Sequence, residues 1–356
     1  MKLFKHADSH QKPPLRPFAF AVTLVTAFAL LLAGCSKNQS TTTGGAPFGP
    51  SANSGSKTTS GTRTASRADL QGMADQQGQA TSPDGGNFKI AYSDPQNQKY
   101  VQMNEELKRG GSLEQVAAEL NAAVSIPEDV TIVFKECGEI NAFWSPPERT
   151  INMCYELVED LAQRFSTTAK DEQELEDAVG GAITFVFFHE LGHGLIDLLK
   201  LPSTGREEDA VDQLATYVLV DSGGEEGERM ALNGAKWWGQ KYDELAQSGR
   251  TAGELDQLWA DEHSLNAQRF YNIICWVYGH NQQKYAGMVN NPLPEARAVR
   301  CPTEYERLSG SWLTLLKPYL KDGGAAGGGS AQSSAPPVEG GGGQEGEGGG
   351  KDHGGH

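Results

Sequence analysis

The sequence predicts an α+β fold, from two kinds of pattern in one order. Short β-branched stretches with alternating polarity come first, at Asp129–Cys137, "EINAFWS" and "RTINMC". Long runs with helical apolar spacing follow, and fill most of the chain from residue 155 to 320. A small, mostly antiparallel sheet followed by a helical part around one central helix is the expected architecture.

The elements follow in order. "SLEQVAAELNAAV" places a serine cap before an apolar stripe and predicts a helix over Ser112–Val124. "DVTIVFKEC" alternates and predicts a strand. "EINAFWS" and "RTINMC" flank "PPE", a turn signal, and predict a hairpin. "YELVEDLAQRF" resumes helical spacing. Asp171–Lys200 is a longer helical pattern whose second half is apolar all round, so it should be the buried central helix. "LPSTG" stops it, because proline and glycine do not continue a helix. "REEDAVDQLATYVLV" is a further amphipathic helix, and others fit Glu228–Gln247, Asp261–Tyr278 and Glu304–Leu320.

The ends of the chain have other compositions. A basic start (Lys2, Lys5, Lys12, Arg16) leads into the apolar run Phe18–Ala33, too short to span a bilayer and suited to a secretory signal. The run ends in "LAGC", which resembles the lipobox of bacterial lipoproteins. That resemblance implies that residues 1–34 are removed and that Cys35 is lipidated, and several acyl chains anchor stably where one does not. Ser36 follows the cysteine in place of an inner-membrane retention aspartate, so an outer-membrane location in the cell envelope is expected in a Gram-negative host. Residues 35–87, rich in Ser, Thr and Gly, predict a disordered tether, and the Gly-rich 322–356 a disordered tail. Residues 88–321 remain as one domain.

A formal charge of −16 argues against nucleic acid, whose phosphates need Lys and Arg. Four cysteines remain after Cys35, namely Cys137, Cys154, Cys275 and Cys301. Export to an oxidising compartment points to two disulfides. Proximity favours Cys137–Cys154 and Cys275–Cys301 among the three possible connectivities. No C-x-x-C spacing supports the rival, a zinc–thiolate site.

The central helix reads "FVFFHELGHGLIDLL". His189 and His193 are four apart and present two imidazoles to a common point. Glu190 lies about 100° further round, placed to reach a water on a metal. This is H-E-x-x-H, with the glutamate as general base. Two core histidines bonded to neighbours would be the alternative. Burying His, Glu and His in an apolar helix is costly unless each has a partner, and Gly192 and Gly194 add roughly 1 kcal/mol each.

A third ligand is needed. A metzincin would carry glycine at 196 and histidine at 199, where this chain has Ile196 and Leu199. The next helix offers Glu208 and Asp212, which border the stripe of Val211, Ala215 and Val218. Glu208 can act as ligand, with Glu207 as runner-up. Asp212 can accept the other ring N–H of a ligand histidine. Decoration of the helix N-terminus accounts for Glu207 and Asp209.

H-E-x-x-H followed by E-x-x-x-D on the next helix resembles the gluzincin metallopeptidases, the thermolysin-like group, at His189, Glu190, His193, Glu208 and Asp212. "NAFW", Asn141, Ala142, Phe143 and Trp144, is similar to the edge strand over which those enzymes lay their peptide. The block from Glu136 to Ala215 is also similar to a bacterial metallopeptidase family of unknown function, a similarity that spans most of residues 97 to 320. The resemblance implies a zincin-like fold, Zn2+ as cofactor, a peptide or protein substrate, and hydrolysis in which Glu190 carries the water's proton to the leaving amine. The gap between His193 and Glu208 is shorter than in thermolysin. "DEHSLNAQRFY" supplies His263 as candidate oxyanion donor, backed by Asp261 or Glu262, while Tyr271 beside Phe270 and Ile274 reads as core. Packing is also the reading preferred for Trp237 and Trp238. A lipid-anchored zinc endopeptidase is the expected function. The competing readings are a catalytically inactive, zinc-dependent envelope binding or scaffold lipoprotein and a metal-free scaffold.

Overall fold

The computed structural model describes residues 85–249 and 260–321. The expected signal segment, Cys35, the tether up to residue 84 and the tail lie outside these residues. Near the start of the described residues Gly86 bridges to Ile126 and the Asn87 amide donates to Asp129 Oδ1 at 2.9 Å.

Four strands form one sheet in the order β1-β2-β4-β3. They are β1 Phe88–Tyr92, β2 Val130–Lys135, β3 Ala142–Ser145 and β4 Thr150–Cys154. In β2 the buried Val130, Ile132 and Phe134 alternate with half-buried residues. β4 lies inside the sheet and is buried from Ile151 to Cys154. The expected hairpin exists, with β3 antiparallel to β4 and Ser145 opposite Thr150.

The expectation of a mostly antiparallel sheet is corrected. β1 pairs with β2 in parallel, and β2 with β4 in parallel, so the sheet is mixed. Two helices unseen as a crossover, α1 Gln98–Gly110 and α2 Ser112–Ala123, carry the chain from β1 back to the same end of the sheet. β1 escapes sequence reading because only Phe88 of its five residues is buried. α1 escapes because its core stripe is narrow, consisting of Tyr100, Asn104 and Leu107.

The helical part consists of α3 Tyr155–Phe165, α4 Glu172–Leu199, α5 Glu207–Ser222, α6 Gly224–Gln247, α7 Asn266–His280, the short α8 Glu295–Ala298 and α9 Cys301–Leu316. Asp171 caps α4 by accepting the Glu174 amide at 2.8 Å, and Lys200 closes it in the left-handed region at φ 52°. By length and composition α4 could cross a membrane. Since 83% of its most apolar window is buried among the other elements, it is instead the core helix. α4 packs on α3, α5, α6 and β3, which places its polar residues where the sheet meets the helices.

Two disulfides, Cys137–Cys154 and Cys275–Cys301, tie the loop after β2 to the end of β4, and α7 to α9. The helix expected from Asp261 begins only at Asn266. Asp261 Oδ1 accepts both the His263 amide (2.9 Å) and its ring Nδ1 (2.8 Å), a local turn that competes with helix.

Candidate metal centre

α4 carries His189, Glu190 and His193, the first two at the wall of a cavity, and α5 brings Glu208 against the two histidines. A close helix contact makes this possible. A Cβ on Gly192 would lie 2.8 Å from Val211 Cγ1, so only glycine lets α5 approach so near. On the other side a Cβ on Gly194 would meet the Trp144 ring at 3.3 Å. The helix cost of these glycines is thus the cost of two packing contacts that frame the site.

The two imidazoles stand edge to face, with ring centroids 5.0 Å apart. His189 Nε2 lies 3.1 Å from Glu208 Oε2, and His193 Nε2 lies 3.3 Å from Glu208 Oε1. One donor atom from each of the three residues falls within 4.8 Å of the others. Their other ring nitrogens are already engaged. His189 Nδ1 meets Asp212 Oδ1 at 2.9 Å, and His193 Nδ1 meets Glu207 Oε1 at 2.8 Å. Ionised carboxylates only accept, so each Nδ1 carries a proton, and each Nε2, which faces Glu208, has a lone pair to offer a metal when its ring is neutral.

Asp212 is held ionised. Burial opposes its charge, but Arg269 and His189 outweigh burial and hold it at about 2. Arg269 donates from Nε to Oδ2 at 2.7 Å and from Nη2 to Oδ1 at 2.6 Å. Glu207, the runner-up ligand, points to the far side of His193, so its place is behind the imidazole rather than among the converging atoms. Asp209 accepts from Ser264 Oγ at 2.5 Å and fastens the loop ahead of α7.

These groups fit a divalent cation. Glu208 Oε2 is buried without a hydrogen-bond donor, and His189 Nε2 beside it, at 3.1 Å, cannot donate to it when that ring is neutral. The protein's own electrostatics calls for positive charge there. Burial disfavours the imidazolium forms, yet the carboxylates push His189 up to about 9 and raise His193 as well. Burial likewise opposes ionisation of Glu208, and the two histidines hold it well below the ordinary carboxylate range. Two nitrogens and a carboxylate oxygen match the ligand types of zinc.

Glu190 is buried beside this cluster, its Oε1 4.0 Å from His189 Nε2. Burial raises its pKa. Its Oε2 accepts the backbone N–H of Trp144 at 2.9 Å. The Trp144 indole donates to Asp197 Oδ2 at 3.1 Å, so β3 is pinned to α4 at both ends of one residue. The Ala142 amide donates to Asn141 Oδ1 rather than to β4. The outer edge of β3 therefore faces Glu190 of α4.

A cavity of about 270 Å³ opens beside His189 and Glu190. Asn141, Ala142, Trp237, Trp238, His263 and Arg269 are among its lining residues. Of the four residues expected to contact substrate, Asn141 and Ala142 face it. Phe143 carries Lys135 over its ring, and Trp144 packs on Gly194. His263, half-exposed, reaches to 3.3 Å from Glu208 Oε2 with its Nε2. Tyr271 packs against the core and Phe270, away from this cavity. The packing reading of Trp237 and Trp238 is incomplete: Trp237 is buried and bonded to Asp160, yet both indoles also wall the cavity. Arg269 was missed altogether; an arginine in an otherwise helical "NAQRFY" gives no sign of its target across the fold.

A family model described as "Putative metallopeptidase" matches residues 92–316. The chain belongs to that family. The match covers β2 to β4 and the helical part, including His189, Glu190, His193 and Glu208. The family description implies a metal ion and a peptide or protein substrate for this metallopeptidase-family chain. No curated protein and no solved structure matches it.

Proposed function

We propose that the protein is a zinc-dependent peptidase of the gluzincin type, with a zincin-like fold. The supporting observation is the convergence of His189 Nε2, His193 Nε2 and the Glu208 carboxylate, with each imidazole oriented from behind by a carboxylate. His189, His193 and Glu208 would hold the metal. Zinc, when bound, supplies a Lewis acid for the scissile carbonyl and for the attacking water.

The remaining chemistry belongs to the chain. Glu190 takes the water's proton and delivers it to the leaving amine, tasks suited to a carboxyl whose pKa burial has raised. The Trp144 N–H holds Oε2 and keeps the carboxylate from turning away. Asn141 and Ala142 present the edge of β3 to an extended peptide. His263, whose Nδ1–H donates to Asp261, would offer an Nε2–H to the developing oxyanion in its doubly protonated form. Attachment to the cell envelope through a lipid on Cys35 is part of the same proposal, supported by the "LAGC" box after an apolar run.

The test pairs metal content with turnover. Purified full chain should carry close to one zinc per molecule and cleave members of a broad peptide library. Glu190→Gln should keep the zinc and lose cleavage by roughly a hundred-fold or more. Full activity in that variant would sink the assigned mechanism. Zinc without cleavage by the wild type would favour the inactive binding protein.

A further inference from the structure

The cavity beside the candidate metal ligands carries a cation that forms no ion pair among the described residues. Lys241, on α6, lines it together with Trp238, one helical turn earlier. The Lys241 ammonium rests over the Trp237 ring at 4.4 Å and the Trp238 ring at 5.3 Å. Among the described residues no carboxylate lies within ion-pair distance of it. The nearest acidic groups are committed elsewhere. Asp160 accepts from Arg164 and from the Trp237 indole, and Glu244 pairs with Arg164 at 2.6 Å. Arg269, the other cation on this wall, is taken by Asp212. Burial lowers the Lys241 pKa, with Arg164 and Arg269 adding to the shift and the more distant Asp160 and Glu244 opposing it. The buried Trp238 Nε1 also has no acceptor. An ammonium without an ion pair, in a cleft with Leu157, Phe185 and Val186 for walls, suits a carboxylate on an aliphatic stem.

We infer that Lys241 is a specificity-determining residue, and that the substrate residue entering this cavity bears a carboxylate. The inference rests on the peptidase reading, since it assumes that a peptide lies along β3 and drops one residue past His189 and Glu190. An Asp or Glu side chain and the free C-terminus of a peptide share this chemistry, and the experiment separates them.

The zinc-loaded full chain is offered matched peptides. One set is blocked at both ends with a single position fixed as Glu or Gln; the other is neutral, with a free or amidated C-terminus. In the arm that supplies the true source, the acid should exceed its amide partner in kcat/KM by about ten- to hundred-fold. Lys241→Met, which keeps the stem, should bring that ratio close to one, and Lys241→Arg should preserve it. Equal rates for acid and amide in both arms overturn the inference, as does a preference that survives Lys241→Met. The same pairs are titrated calorimetrically against zinc-loaded Glu190→Gln, with and without Lys241→Met. Tighter binding of the acid that depends on Lys241 supports the inference even if wild type cleaves nothing, a result that would sink the peptidase reading alone. Equal or undetectable binding of both members overturns it.

Discussion

Arg269 grips Asp212 with two hydrogen bonds, and Asp212 in turn fixes the ring of His189. The guanidinium and the carboxylate are both buried, on helices far apart in sequence. Removing one partner of such a pair leaves a charge without compensation. Arg269→Met should destabilise the fold by about 3–5 kcal/mol in chemical denaturation. In the folded fraction, zinc affinity measured against a competing chelator should fall roughly ten- to hundred-fold. An unchanged affinity would mean that Asp212 orients His189 unaided.

The two carboxylates behind the histidines should not be equal. Asp212 is buried, whereas Glu207 is about half-exposed. Water can replace Glu207 as acceptor for His193 Nδ1–H, but not Asp212. Asp212→Asn should therefore weaken zinc binding by about ten-fold or more, and Glu207→Gln by less. The same chelator competition on both variants checks the order, and a reversed order would place the dominant orienting contact at His193.

Gly192 sets the spacing that lets Glu208 reach the histidines. Gly192→Ala puts a methyl within 3 Å of Val211 Cβ and Cγ1. Overpacking of this kind costs about 1–3 kcal/mol, and relief by moving α5 also carries Glu208 away. Both stability and zinc content should fall. Adding Val211→Ala makes room for the methyl, and the double variant should regain zinc relative to Gly192→Ala alone. No recovery would show that the helix contact is not what positions the carboxylate.

Away from the site, Glu228 on α6 is buried with Lys284 and Tyr285 donating to it, each at 2.7 Å. Burial opposes its ionisation, but these donors and His280 prevail and lower its pKa below the usual 4.5. A carboxyl depressed in the folded state adds stability that is fully present above its unfolded value. That stability is lost as pH falls through the lower, folded value. Unfolding free energies of wild type and Glu228→Gln should thus converge as acid is added below pH 4.5 and differ most above it. A constant gap across that range would mean that the cluster stabilises through packing rather than charge.

Much of this was legible along the chain. Helical spacing alone located the central helix within one residue at each end, because a helix buried on all sides is apolar over a length that nothing else explains. The polar interruptions His189, Glu190 and His193 stand out against that background, and Glu208 and Asp212 stand out by sitting beside a core stripe. The two disulfides followed from nearness in sequence. β1 and α1 were not legible, since each buries so little that its pattern is faint, and without them the parallel pairing of the sheet could not be inferred.

The sequence by itself determined which residues are chemically equipped for a metal and on which helices they lie, because local periodicity controls which face a side chain occupies. Only the tertiary structure decided what stands behind and around them. Arg269 on Asp212, Glu207 behind His193, the Trp144 amide on Glu190 and Lys241 in the cavity all join residues at least 14 positions apart, apart from Lys241 and its two indoles. Such contacts depend on how helices cross and how closely glycines let them approach. That information lies in the packing of whole elements, and no short window of sequence carries it.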